Sequence, residues 1–122
     1  MSQPTATVAN LDDLTLRLRS FAAERDWEPF HSPRNLAAAL IVEAGELLEH
    51  FQWLSDAESE QLTPERRERV AMEMADVLLY LVRLADRVGV DLLAAAGRKL
   101  AINAEKYPVS LARGTHRKYD EL

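Results

Sequence analysis

Apolar residues recur at intervals of three and four along most of the chain, the spacing that lines up side chains on one face of a helix, and four helices follow from it. The first runs from about Leu11 to Arg25, with Asn10 as N-cap and Leu11, Leu14, Leu18, Phe21 and Ala22 as its apolar stripe. Residues Trp27 to His31 then read as a loop. The second helix opens with Ser32 as N-cap and Pro33 at the first helical position, where a missing N–H costs nothing, and is expected to continue to about Trp53. After an acidic, exposed stretch from Ser55 to Leu62, the third repeats the device with Thr63 and Pro64. It runs to about Val88, where Gly89 supplies the stop. The fourth follows Asp91 and ends near Lys106, before Tyr107 and Pro108. The expected fold is all-α, a four-helix bundle over residues 11–108, with a flexible N-terminus over 1–10. A C-terminal tail over 109–122 carries Arg113, His116, Arg117 and Lys118 without a clear period.

Length and composition narrow the possibilities. A chain of 122 residues, 48% of them hydrophobic, makes one compact domain but is short for one that must also enclose a ligand, so oligomerisation is expected. With no cysteine, disulfides, thiolate chemistry and zinc-finger ligation drop out, and any metal site must use carboxylate, imidazole or backbone oxygen. The net charge of −5, from 15 basic and 20 acidic residues with no Lys/Arg-rich block, disfavours a nucleic-acid polymer as partner. The polar stretch Met1 to Asn10 lacks the layout of a signal peptide, and no apolar run is long enough to span a bilayer. A soluble, cytoplasmic protein without a membrane partner is expected.

The chemistry concentrates in two acidic pairs. The second helix carries Glu43 and Glu46 and the third carries Glu73 and Asp76, each pair three residues apart and so on one helical face. Such pairs usually decorate a solvated face. Here Glu73 falls on the wheel among Val70, Val77 and Leu84, and Glu43 close to Leu36, Leu40 and Leu47, so both point toward the core. Between Val70 and Ala85 the sole base is Arg83, and Arg34, His50, Arg66, Arg67 and Arg69 are too few at the right level to neutralise four inward carboxylates. Uncompensated burial costs several kcal/mol per ion, which leaves a hard cation as the solution, and all-oxygen ligands suit Mg²⁺. A di-iron bundle would need Glu-x-x-His on two helices, whereas His50 follows Glu46 by four and the third helix has no histidine. Mg²⁺ held by carboxylates commonly completes its shell with substrate phosphates, pointing to phosphate-anhydride chemistry.

The fourth helix adds Lys99, Asn103 and Lys106 on one stripe, equipment for a phosphate chain, although an isolated lysine pair at this spacing is more often a solvated face. Trp27, Phe30 and His31 gather in the first loop, Trp53 ends the second helix, and Tyr80 shares the carboxylate face one turn beyond Asp76. Aromatic planes of this kind can stack on a base, though singly each is more often packing.

Taken in order, EAGELLEHFQW, EMADVLLYLVRLA, KLAINAEKYP and the tail SLARGTHRKY, with FAAERDWEPFHSPRNLAAAL before them, resemble the MazG-like nucleotide pyrophosphohydrolases, nearest their dCTP pyrophosphatase branch. The likeness spans roughly Leu11 to Leu122. It implies a four-helix MazG fold assembled as a homotetramer, with Mg²⁺ on the catalytic carboxylates Glu43, Glu46, Glu73 and Asp76. It also implies a nucleotide held by Trp27, His31, Trp53, Tyr80 and Asn103, with Lys99 and Lys106 toward the phosphates. The implied reaction is hydrolysis of a nucleoside triphosphate, with dCTP or a modified dCTP as substrate, to the monophosphate and diphosphate, which would clean the nucleotide pool. Where the broader family pattern has a lysine three residues before Glu73, this chain has Val70, so that role passes to Arg66, Arg69 or the fourth helix. Two alternatives stay open from the residues: a broader or dUTP-directed pyrophosphatase, and a helical nucleotide-sensing or partner-binding module that does not turn over.

Overall fold

The computed structural model describes residues 4–122; Met1 to Gln3 of the expected flexible N-terminus lie outside the described residues. Among the described residues every regular element is helical: α1 (Leu11–Glu24), α2 (Pro33–Glu49), α3 (Asp56–Ser59), α4 (Pro64–Val88), α5 (Leu92–Lys106) and α6 (Val109–Ala112), with 3₁₀ turns at Glu28–Phe30 and Tyr119–Glu121. The third and fourth helices of the sequence reading are thus α4 and α5.

Local capping chemistry sets most of the boundaries. The Asn10 side chain accepts the Asp13 N–H at 2.8 Å, Ser32 Oγ that of Asn35 at 3.2 Å, Thr63 Oγ1 that of Arg66 at 3.2 Å and Asp91 Oδ1 that of Ala94 at 3.1 Å, each satisfying a donor with no intrahelical partner. Gly89 ends α4 in the left-handed region at φ 74°, where a Cβ would be strained. Three expectations are revised. The helix α2 stops at Glu49 rather than near Trp53, because His50, Phe51 and Leu54 close short turns onto Leu47, Leu48 and Phe51. The acidic stretch after it contains α3, built on a reciprocal capping box between Ser55 and Glu58. The tail, where no clear period marked an element, holds α6 and the second 3₁₀ turn.

The chain forms two compact units, one up to Gly89 and one from Val90 to Leu122. In the first, α4 packs chiefly along α2 and also against α1. The buried apolar residues are Leu14 and Ala22 of α1, Leu36 of α2, and Val70, Val82 and Ala85 of α4. Phe21, expected in the α1 stripe, is instead 46% exposed beneath the Arg25 guanidinium, which lies 3.6 Å from its ring centroid. Large apolar side chains remain uncovered on α2 (Ile41, Val42, Leu48) and α4 (Met72, Met74, Leu78, Leu81). In the second unit, Lys106 Nζ sits 4.6 Å from the Tyr119 ring centroid and Tyr107 meets Tyr119 edge-on, tying the end of α5 to the last turn. No described helix is long and apolar enough to cross a membrane.

Candidate functional site

The packing of α4 on α2 brings the two acidic pairs together. Glu43 from α2 and Glu73 and Asp76 from α4 each place a carboxylate oxygen within 4.8 Å of the others, and all three residues are half-buried. Glu43 Oε2 and Glu73 Oε2 are shut off from solvent without a hydrogen-bond partner. None of the ion pairs among the described residues involves these acids. Desolvation, then the hydrogen bond to Glu46 and the charges of Glu46, Asp76 and Glu73, push the Glu43 carboxyl up to about 7. Glu46 therefore flanks Glu43 rather than joining the tight group, and the quartet of the sequence reading is a trio with a neighbour.

Buried carboxylates cost free energy unless paired, and two buried oxygens without a partner, on residues whose carboxylates cluster within 4.8 Å, leave room for a positive charge. Oxygen ligation of Mg²⁺ at about 2.0–2.1 Å puts opposite donors at most about 4.2 Å apart, so small side-chain rotations would draw the three oxygens around such an ion. The donor set, all oxygen and all anionic, fits a hard divalent cation. Beside Glu73 opens a cleft of about 320 Å³ lined by His50, Glu68, Arg69 and Met72. Val70 itself is buried, and it is Arg69 that brings a cation to this cleft.

Arg83, the lone base between Val70 and Ala85, does not serve the acids. It is 5% exposed, donates from an Nη to Asp86 at 3.2 Å and from Nε to His31 Nδ1 at 3.3 Å. Asp86 is held on its other side by a two-point contact from Arg19, with Nε at 2.8 Å. This network joins α1, α4 and the loop before α2. Its long-range pairings were missed from sequence, although an unpartnered arginine in an apolar run was a signal that such a partner existed.

The loop itself is tied down by backbone bonds. The Trp27 N–H reaches Ala22 O at 2.9 Å, those of Phe30 and His31 close the 3₁₀ turn, and Asn35 Nδ2 donates to Phe30 O at 3.1 Å. Phe21, Trp27 and His31 form an edge-on series with centroids 5.6 and 6.1 Å apart. Trp27 is 43% exposed, Phe30 67% and His31 half-buried. Trp53 stands 85% exposed beyond the end of α2, and Tyr80 is half-buried on α4. On α5, Asn103 and Lys106 are half-buried and Lys99 exposed.

The MazG-like family matches residues 39–122. The dCTP pyrophosphatase 1 of Homo sapiens is 52% identical to the chain over 114 residues, covering 92% of this chain and 67% of that protein. The Rattus norvegicus protein of the same name is 51% identical over the same extent. Among solved structures, a pyrophosphatase from Archaeoglobus fulgidus superposes with a TM-score of 0.77 at 36% identity, covering 87% of this chain and 99% of that one. A family match over most of the chain, relatives about half identical and a carboxylate trio at the α2–α4 seam agree with the resemblance drawn from the acidic motifs: the chain belongs to the MazG-like family.

Proposed function

We propose that the protein is a divalent-metal-dependent nucleoside triphosphate pyrophosphohydrolase that splits dCTP, or a modified dCTP, between the α and β phosphates to give dCMP and diphosphate. The observation that carries the chemistry is the trio Glu43, Glu73 and Asp76 with two buried oxygens lacking any partner. The base assignment leans on relatives named dCTP pyrophosphatase 1 at about half identity.

In this reading Glu43, Glu73 and Asp76 hold Mg²⁺, with Glu46 beside them. A divalent ion held there would supply the positive charge needed to polarise the phosphate chain and offset the charge on the leaving diphosphate. One of the carboxylates accepts a proton from the attacking water and aims its oxygen at the α phosphorus, in line with the departing bridging oxygen. Trp27, His31, Trp53 and Tyr80 are the proposed contacts to the base and sugar. Lys99, Asn103 and Lys106, which share one stripe of α5, are the proposed contacts to the phosphates. The uncovered apolar residues of α2 and α4 support assembly into a homotetramer, since a soluble monomer this small rarely leaves so much of its helices bare. Pool cleaning in the cytoplasm is the role that suits such an activity.

The test is to incubate the protein with each of the eight common ribo- and deoxynucleoside triphosphates, with Mg²⁺ and with EDTA, and to resolve the products by ion exchange. Conversion of dCTP to dCMP and diphosphate, far faster than the others and abolished by EDTA, is the expected result. Cleavage of several triphosphates at similar rates removes the base assignment; cleavage of none removes the enzyme. Light scattering during gel filtration reads the tetramer.

A further inference from the structure

Of the side chains proposed to meet the nucleotide in the first unit, His31 alone is engaged by a buried charged group. Arginine has five donors and no acceptor, so the contact of Arg83 Nε with His31 Nδ1 requires the lone pair to sit on Nδ1. A neutral imidazole with its lone pair on Nδ1 carries its proton on Nε2, and no hydrogen bond among the described residues engages that atom. Arg83 is not free to turn away. It is 5% exposed, Asp86 grips it from one turn further along α4, and Arg19 of α1 grips Asp86 in turn. The loop bearing His31 is fixed by the Asn35 contact and its own 3₁₀ turn.

The position on α4 matters as much as the contact. At 100° per residue, Glu73, Asp76, Tyr80 and Arg83 fall within one stripe of the helix, and Arg83 lies about 10 Å along the axis beyond Asp76. A nucleotide with its phosphates at the carboxylates and its nucleoside laid along this stripe would bring the base toward the His31 end.

We propose that Arg83 is a positioning residue for the substrate: held by Asp86, it locks His31 as the Nε2–H tautomer, so that His31 presents a hydrogen-bond donor to an acceptor atom of the pyrimidine nucleotide. The inference rests on the proposed contact of His31 with the nucleotide. Burial of His31 and the charges of Arg83 and Arg87 hold the imidazole below its ordinary pKa, in keeping with a ring that stays neutral and keeps Nδ1 as an acceptor.

Two measurements on the full chain test it. Long-range ¹H–¹⁵N NMR of the nucleotide-free protein at neutral pH, with His31→Gln to assign the signal, should show His31 as the neutral Nε2–H tautomer. An Nδ1–H tautomer or a charged ring overturns the proposal without reference to catalysis. In steady-state assays with dCTP, His31→Gln should raise KM about tenfold, the value of one lost hydrogen bond, with kcat little changed. Arg83→Met, of similar length and apolar, should raise KM to the same degree, and the double variant no further, because both remove one interaction. Arg83→Lys, which keeps the charge, should recover part of the loss. If His31→Gln raises KM and Arg83→Met does not, Arg83 does not position His31. If His31→Gln leaves KM unchanged while wild type cleaves dCTP, His31 is not a ligand contact and the proposal falls with that assignment. If wild type cleaves no triphosphate, it is the enzyme reading that has failed. Should Arg83→Met not fold, the wild-type tautomer decides.

Discussion

The two halves of α4 handle acidic side chains in opposite ways. In the N-terminal half, Glu73 and Asp76 face Glu43 across the α2 seam with no base paired to them, and Glu43 is pushed up to about 7 by desolvation and by like charge. In the C-terminal half, Asp86 is gripped by Arg19 and Arg83, and its carboxyl is held below the ordinary range, first by the Arg19 hydrogen bond. Satisfying a buried acid with arginine is evidently possible on this helix, so its absence about three turns earlier is a property of the site. An acid that is paired internally stabilises the fold; an acid left unpaired stores a demand for a cation.

The sharpest break in the comparison is a neutral substitution on each side. Glu73→Gln removes a ligand and a repulsive charge together. Hydrolysis of dCTP should fall by on the order of 10²-fold or more, while the melting temperature in EDTA should stay level or rise. Adding Mg²⁺ should raise the melting temperature of the wild type and not of the variant. A clear loss of stability in EDTA would make these acids structural. Asp86→Ala is expected to do the reverse. It leaves Arg83 buried beside His31 without its counter-charge, and unfolding in urea should show a loss of about 3 kcal/mol, with Mg²⁺ stabilisation retained. Arg19→Ala, at the exposed end of the same network, should cost visibly less.

Acid titration separates the halves further. Asp86 has a lowered pKa, so the unfolded chain takes up its proton first; the stability it contributes is present above 3.8 and is lost as pH falls through the folded value. His31, lowered by burial and by Arg83 and Arg87, behaves in the same sense, its contribution being lost as pH falls from 6.5 through its folded value. Glu43, raised to about 7, acts in the opposite sense, since its protonation on folding stabilises the protein as pH falls from 7 toward 4.5. In a Glu43→Gln background, urea midpoints measured downward from pH 7 should therefore decline first through the histidine range and again below pH 4. The second decline should be smaller in Asp86→Ala, with the part due to Asp13 and Glu58 remaining. In that background a midpoint that rises on acidification to pH 5 would contradict the histidine sign, and one that does not fall below pH 4 would contradict the Asp86 sign.

How far these features can be read in the sequence depends on how local their causes are. The starts of α1, α2, α4 and α5 were legible because one side chain caps each, and the end of α4 because Gly89 can enter the left-handed region. The end of α2 was not, since no glycine or proline marks it and short turns replace the helix from His50 onward. The acidic pairs were legible from their three-residue spacing on apolar wheels. That Glu46 stands aside from the trio depends on the rotation of α2 against α4, which periodicity does not fix to within one side chain. The contact of Arg19 with Asp86 joins residues 67 apart and has no local signal.

The smallest effects test whether the two halves of α4 respond independently. Thr63→Ala removes the cap that accepts the Arg66 N–H and should cost about 1 kcal/mol. Gly89→Ala meets no neighbouring atom within 4 Å, so its cost of about 1–2 kcal/mol would be backbone strain alone, from holding a Cβ at φ 74°. The two losses are similar, but they act at opposite ends of one helix. Fraying at Thr63 lies within three turns of Glu73 and should weaken Mg²⁺ stabilisation measurably, whereas strain at Gly89 lies one turn from Asp86 and should shift the His31 NMR signal while leaving Mg²⁺ stabilisation intact. If both substitutions moved both readouts equally, α4 would be transmitting strain along its whole length. The carboxylate seam and the arginine network would then be one cooperative unit rather than two.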